Sequence, residues 1–328
     1  MPSEFIGRQT DIGIAKESVR GTAVAATFFV PHMDFTFDEK VEQVVDESSV
    51  GVIEDSIDAN VTEKITEGSL EARIQVETFG LFLLNLLGAV STTVDTPESG
   101  VNEHEFTVAQ SAQHQSLTIS VKEPNSAKQY PLAMLNSLEI NVALNQYALM
   151  TAELRSKKGE TAAITPSYVA GDEKKIFLPQ HGTFKAAVDL AGLGAAPETT
   201  IRNLTFSIAK NLEDDQVIGS TDPADILNKQ FAIEGEVELL YRDSSFIDFL
   251  LADTARALRL TLTNTDITIG AVSNPKLEID LARVKFSEVT KPFALNDLVV
   301  QTLSFKALYS LTDAELVKIT LTNTTASY

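Results

Sequence analysis

The stretch EGSLEARIQVETFGLFLL (67–84) aligns without gaps on EGEVELLYRDSSFIDFLL (234–251). Glu67 and Gly68 match Glu234 and Gly235, and Glu71 matches Glu238. Phe79, Phe82, Leu83 and Leu84 match Phe246, Phe249, Leu250 and Leu251. In each, a strand-like run passes through a hydroxyl residue, Thr78 or Ser245, into a short apolar segment with Phe at its first and fourth positions. A hydroxyl there can accept a hydrogen bond from the free N–H groups of a first helical turn. The pattern therefore predicts, twice, a strand, an N-cap and one short amphipathic helix. Gly88 follows the first as a stop, because glycine takes the left-handed conformation that closes a helix.

Further matches keep the same order. SLTISV (116–121) resembles LRLTLT (258–263), and ALNQYALMTAELR (143–155) resembles ALNDLVVQTLSFK (294–306). Three ordered matches point to a duplication. The expected organisation is a β domain over 1–160, a linker over 161–178 and a second β domain over 179–328; the linker contains TAAITPSYVAGDEKK. The first half has an extra polar stretch, STTVDTPESGVNEHE (91–105), expected to be a loop.

Elsewhere the pattern alternates with period two. Leu138, Ile140 and Val142 alternate with Glu139 and Asn141; Leu258, Leu260 and Leu262 with Arg259 and Thr261; Leu277, Ile279 and Leu281 with Glu278 and Asp280. Strands with one face on a core read this way. The fold class is thus mainly β: two tandem β-sandwich or barrel domains, each with one short α-helix.

The 328 residues carry a formal net charge of −20, which excludes a protein that grips phosphate backbones with Lys and Arg. There is no Cys, which removes disulfides, Cys-ligated zinc and thiol nucleophiles. The N-terminus lacks a charged-then-apolar signal pattern, and FGLFLLNLLGAV (79–90) is short of the roughly 20 residues that cross a bilayer. The expectation is a soluble chain with no membrane partner.

The acids are concentrated. Residues 38–63 hold nine carboxylates and a single Lys, among them Asp46, Glu47, Glu54, Asp55 and Asp58. Residues 211–225 hold Glu213, Asp214, Asp215, Asp222 and Asp225 with no base. Both stretches precede a Glu-Gly strand and read as a long hairpin or loop. The first is too poor in core residues to fold on itself.

His32, His104, His114 and His181 form no HExxH or triad-like set, and each reads as a loop or surface residue. No calcium loop pattern lies in the acidic stretches, and GSLEAR and AGLGAAPE lack the spacing of phosphate loops. Glu67 and Glu234 are equivalent positions of two copies, which explains them better than acid–base chemistry. No catalytic residue, cofactor or metal is expected.

The run from Gly13 to Ala89, which includes TFFVPHMDFTFDEKVEQVVDESS, resembles the tail tube (major tail) proteins of siphophages, as does LARVKFSEVTKPFALNDLVVQTLSFKAL (281–308). The resemblance implies β-sandwich or barrel domains of tail-tube type whose inner sheets join around a ring. It implies stacked rings around a channel for DNA, in a virion tail assembled in the host cytoplasm. It also implies tape measure, tail terminator and distal tail proteins as partners. By the same resemblance the 38–63 stretch contacts the next ring. Asp46, Glu47, Glu54, Asp55, Asp58, Glu213, Asp214 and Asp215 are then the candidate inter-ring or lumen acids. Two domain copies per chain suggest a trimeric ring that looks nearly six-fold. The inner tube of a contractile tail or injection machine shares this reading. A glycan-binding or capsid-decorating β-sandwich is the alternative of another class, against which the absence of Trp counts.

Overall fold

The computed structural model describes residues 4–94, 98–293 and 295–328. It is mainly β. The first half contains β1 (Asp11–Lys16), β2 (Phe28–Val30), β3 (His32–Asp46), β4 (Asp58–Arg73), helix α1 (Val76–Leu87), β5 (Gly88–Val94), β6 (Asn102–Val108), β7 (Leu117–Lys122), β8 (Ala127–Ala143), β9 (Leu149–Ser156) and β10 (Glu160–Thr161). The second contains β11 (Gly182–Ala187), β12 (Asn203–Ala209), β13 (Leu212–Asp215), β14 (Asp225–Asn228), β15 (Ala232–Leu240), helix α2 (Ser245–Leu251), β16 (Arg256–Thr263), β17 (Lys276–Thr290), β18 (Val300–Ala307) and β19 (Val317–Asn323).

The sequence repeats occupy equivalent places in the ladders. In the first half the strands run in the order β3, β4, β9, β8, β7, β1; in the second they run β12, β15, β18, β17, β16, β11. Glu67 faces Arg155 as Glu234 faces Lys306. A bulge falls between Leu135 and Ser137 on β8 and between Phe286 and Glu288 on β17. The shared Ala-Leu-Asn is a turn signal: Asn145 (φ 62°) and Asn296 (φ 71°) are both left-handed, in the turns after β8 and after β17. Asn tolerates that conformation better than most residues. Ala294 lies outside the described residues.

Gly68 and Gly235 repeat for a steric reason. A Cβ on Gly68 would lie 1.9 Å from the Thr36 carbonyl oxygen, and one on Gly235 would lie 2.6 Å from Phe206 Cβ. The neighbouring strand comes too close for any side chain.

Several expectations need correction. Helix α1 starts at Val76 with Gln75 as its N-cap, so Thr78 lies inside the first turn. The segment expected as a linker causes this: Lys175 O accepts the Val76 N–H, and Gln75 bridges Ile176. Ile176 and Phe177 are buried, so 175–177 is stitched into the first half. Helix α2 is capped one residue early, at Ser244, with the Asp243 carboxylate accepting the Ser245 N–H at 2.9 Å. Gly88 does close α1, with φ 87°. Helix α1 is buried on every side, and only α2 is amphipathic. The expected 91–105 loop is mostly the hairpin β5–β6, whose β6 also pairs β19; residues 95–97 lie outside the described residues.

His114 lies in the connection between β6 and β7, as a loop reading expects, but His32 and His104 lie in strands and exposure is low throughout. His104, His114 and His181 are buried and His32 is half-buried. His104 Nε2 donates to Thr325 O at 2.9 Å, and its Nδ1 lies 2.9 Å from Thr92 Oγ1, a hydroxyl able to donate or accept. Burial holds its pKa below the ordinary value. Lys210, at the end of β12, crosses between the halves: its Nζ donates to Asn85 O at 2.7 Å and caps the last turn of α1.

Candidate functional site

One sheet crosses the chain. β3, β4, β9, β8, β12, β15, β18 and the end of β17 pair in that order, with β8–β12 as the seam between halves. Directly paired residues share a face, so alternation along each strand sorts the side chains. Leu70, Ala152, Leu138, Ile208 and Ile233 form one buried row, and Val142, Leu204, Val237 and Leu303 another. This face lies on the hydrophobic core.

The opposite face is polar. Asp34, Asp38, Glu67 and Glu71 lie on it from β3 and β4, Glu139 and Glu153 from β8 and β9, and Glu234, Glu236, Glu238 and Glu288 from β15 and β17. Thr and Ser fill the places between. The bases on it are Lys40, Arg73, Arg155, Lys285 and Lys306; Lys40, Arg155, Lys285 and Lys306 each pair with a carboxylate, and Arg73 lies over the Tyr147 ring. Glu67 bonds Lys40 and lies 3.7 Å from Arg155. Lys40 as hydrogen-bond donor, with help from Arg155, holds the Glu67 carboxyl below its ordinary pKa. Glu234 meets Lys306 at 2.7 Å. Glu153 accepts from Ser137 Oγ at 2.8 Å and from Asn136 Nδ2 at 3.1 Å.

Of the eight acids singled out from sequence, only Asp214 joins this face. It lies 3.3 Å from Arg155, and burial together with Glu63, Glu67 and Glu213 raises its pKa. Glu213 pairs with Lys229 at 2.9 Å, and Asp215 faces Asp225 on the small hairpin β13–β14. Asp46 and Asp58 stand opposite one another at the far end of the β3–β4 hairpin, with Glu47, Glu54 and Asp55 exposed in the connection beyond. The 38–63 stretch is therefore the long hairpin of the two forms expected, a two-stranded ribbon up to residue 46 and from residue 58. Val41, Val44, Val45 and Ile53 are exposed along it. The second acidic stretch braces its base: Lys64 N donates to Thr221 O at 2.8 Å, and Gln216 Nε2 to Glu63 at 2.6 Å.

Sequence reasoning missed Glu139, Glu153, Glu236 and Glu238 as members of one surface. Glu234-Gly-Glu-Val-Glu238 carried the alternation, but only strand pairing shows that the acidic sides of separate strands coincide. Among the described residues no three His, Asp or Glu side chains converge as a metal site requires. No helix among them is long and apolar enough to cross a membrane. An extended sheet with a solvated acidic face is a surface for lining or contact.

The family model for phage tail tube proteins matches residues 7–307. The chain belongs to the phage tail tube protein family. Its role is structural, as a component of the virion tail that self-assembles into a tube. No curated protein matches the sequence. For a tail tube protein the continuous sheet is the element to explain, since it carries both halves of the repeat on one surface.

Proposed function

We propose that the chains assemble as stacked rings in which the polar sheet face lines a channel for double-stranded DNA. The observation that carries this is the sheet itself: one face buried on the core, the other acidic and unbroken across both halves. Carboxylates facing a phosphate backbone repel it over about 8 Å at physiological salt, so DNA passes without counterion-release binding. The two repeats, over 1–160 and 179–328 with 161–178 between them, each supply one sixth of the wall, so three chains close a ring that is nearly six-fold. The β3–β4 hairpin, with its exposed valines and acidic end, reaches the adjacent ring. Tape measure, tail terminator and distal tail proteins meet the tube, which assembles in the host cytoplasm. A non-contractile siphophage tail fits the resemblance of the sequence.

Reconstruction of purified tubes by electron cryo-microscopy tests this. The expected map has three chains per ring with Glu139, Glu153 and Glu236 facing the lumen. Six identical chains around the axis would remove the trimer, and a lumen lined by Lys and Arg would remove the acidic wall.

A further inference from the structure

The seam between the two halves is a strand pairing whose partners recur at the chain's outer edges. On β8, the edge that pairs β7 through residues 117–122 goes on to pair β12, with Ser137 opposite Ala209 and Glu139 opposite Ser207. β17 is the equivalent of β8. It pairs β16 along the same edge up to Val284, and beyond that point no strand occupies the edge among the described residues. β3 is the equivalent of β12: Phe37 faces Gly68 as Phe206 faces Gly235. Its second edge, which on β12 holds β8, carries no strand among the described residues. The chain therefore holds both halves of a second seam, one at each end of its sheet, with nothing in the same chain to fill either.

We propose that β3 of one chain pairs antiparallel with the open edge of β17 in a neighbouring copy, Lys40 opposite Glu288 and Asp38 opposite Thr290. The register is transferred from the internal seam. The shared bulges and matching ladders make Glu288 the equivalent of Ser137 and Thr290 that of Glu139. The shared Phe–Gly pairing makes Lys40 the equivalent of Ala209 and Asp38 that of Ser207.

Two features of the edges support this register. It sets an ammonium against a carboxylate at Lys40–Glu288, and cross-strand pairs of opposite charge are favourable while like charges are not. On the apolar face it brings Phe35 to Phe293, in the place of the buried pair Leu204–Val142. Phe293 is 72% exposed in the single chain. Pro292 offers no N–H, so the ladder is carried by 288–291 and the Phe pair packs beyond it. Unpaired strand edges of this kind are otherwise an aggregation hazard, which pairing within a closed ring removes.

This inference rests on the ring reading above, and its test separates the two. The chain contains no Cys, so introduced thiols have no native competitor. Directly opposed residues of an antiparallel pair lie within disulfide reach. The variant Lys40→Cys/Glu288→Cys, assembled and mildly oxidised, should run on a non-reducing gel as a ladder ending at the covalent trimer. Val41→Cys/Glu288→Cys, which points one thiol to the other face, should remain monomeric. If the first pair does not assemble, Asp38→Cys/Thr290→Cys reads the neighbouring position of the same register. Tubes that form, as seen by electron microscopy, but give no cross-link with either designed pair would overturn the seam and leave the tube intact. A ladder ending at six would keep the seam and overturn the three-chain ring. Native protein that forms no tube at high concentration, together with no cross-link in either designed variant, would overturn both.

Discussion

Glu234 and Lys306 stand directly opposite one another on β15 and β18, carboxylate oxygen to Nζ 2.7 Å, in the place held by Glu67 and Arg155 on β4 and β9. Ion pairs this exposed contribute about 1 kcal/mol or less. The pairs therefore report the register and do not set it. The glycine beside each carboxylate sets it, by letting two strands approach where no Cβ fits. Two halves that share register, bulge and turn behave as one β unit used twice, and that unit is what the internal seam joins.

Gly68 is accordingly the most sensitive strand position. Gly68→Ala should lower stability by about 2–3 kcal/mol, because its Cβ would overlap the Thr36 carbonyl, which is backbone and has no rotamer to escape into. Gly235→Ala should cost somewhat less, since Phe206 and Phe305 can shift slightly. Urea unfolding of each variant checks the order; equal stability to the native chain would remove the steric account.

Glu77 ties three segments together. It lies in the first turn of α1 and accepts from Lys175 Nζ at 2.8 Å, from Thr324 Oγ1 at 2.6 Å and from Thr325 Oγ1 at 2.6 Å. Burial pushes its carboxyl up, but these donors outweigh it and hold the pKa below the ordinary 4.5. A depressed carboxylate stabilises the fold above the unfolded value and loses that contribution as pH falls through the folded one. Glu77→Ala should cost about 3–5 kcal/mol at pH 7, as expected when one partner of a buried pair is removed. The gap between the native chain and Glu77→Gln should narrow steadily below about pH 4.5. Unfolding curves from pH 7 to pH 3 measure both.

Much of this was legible in the sequence. The Glu-Gly and Ala-Leu-Asn repeats and the period-two runs located the duplicated strands, because alternation and turn residues are local signals. The start of α1 was not legible, since its first N–H is satisfied by Lys175, almost a hundred residues away. His104 and Asn102 read as loop residues because a buried polar strand is recognisable only once its partners, Asn323 and Thr325, are in place. The candidate surface was half legible. The acidic stretches stood out as runs, while the sheet face depends on which strands neighbour each other, and Glu139 with Ser207 meet only through the β8–β12 seam.

Lys210 should give the chain an unusual alkaline dependence. It is fully buried, and burial, with Arg20 adding repulsion, pushes its pKa down to about 7 from 10.5. The unfolded chain then binds a proton that the folded chain lacks across that interval. Stability attributable to this residue should rise with pH between about 7 and 10, by up to about 1.4 kcal/mol per pH unit. Lys210→Met removes the group and should flatten the slope, with the variant gaining most relative to the native chain at pH 7 and below. Parallel slopes for the two proteins would mean that Lys210 keeps its charge on the α1 carbonyl.

The β3–β4 hairpin can be shortened without disturbing the sheet, which makes its role separable from folding. Gln43 lies opposite Val61, so deleting residues 44–57 leaves Asp58, Ala59 and Asn60 as a three-residue turn between paired positions. Hairpin connections of three residues are common, and Asp and Asn suit them. The contacts that brace the base, Lys64 to Thr221 and Gln216 to Glu63, lie outside the deletion. The shortened chain should keep its circular dichroism spectrum and a melting temperature close to that of the native chain. The removed segment carries exposed Val44, Val45, Val50, Val52, Ile53 and Ile57, apolar surface that a subunit in the adjacent ring would cover. Sedimentation should therefore find folded subunits or single rings where the native chain gives long tubes. Full-length tubes from the shortened chain would show that the hairpin is not what joins one ring to the next.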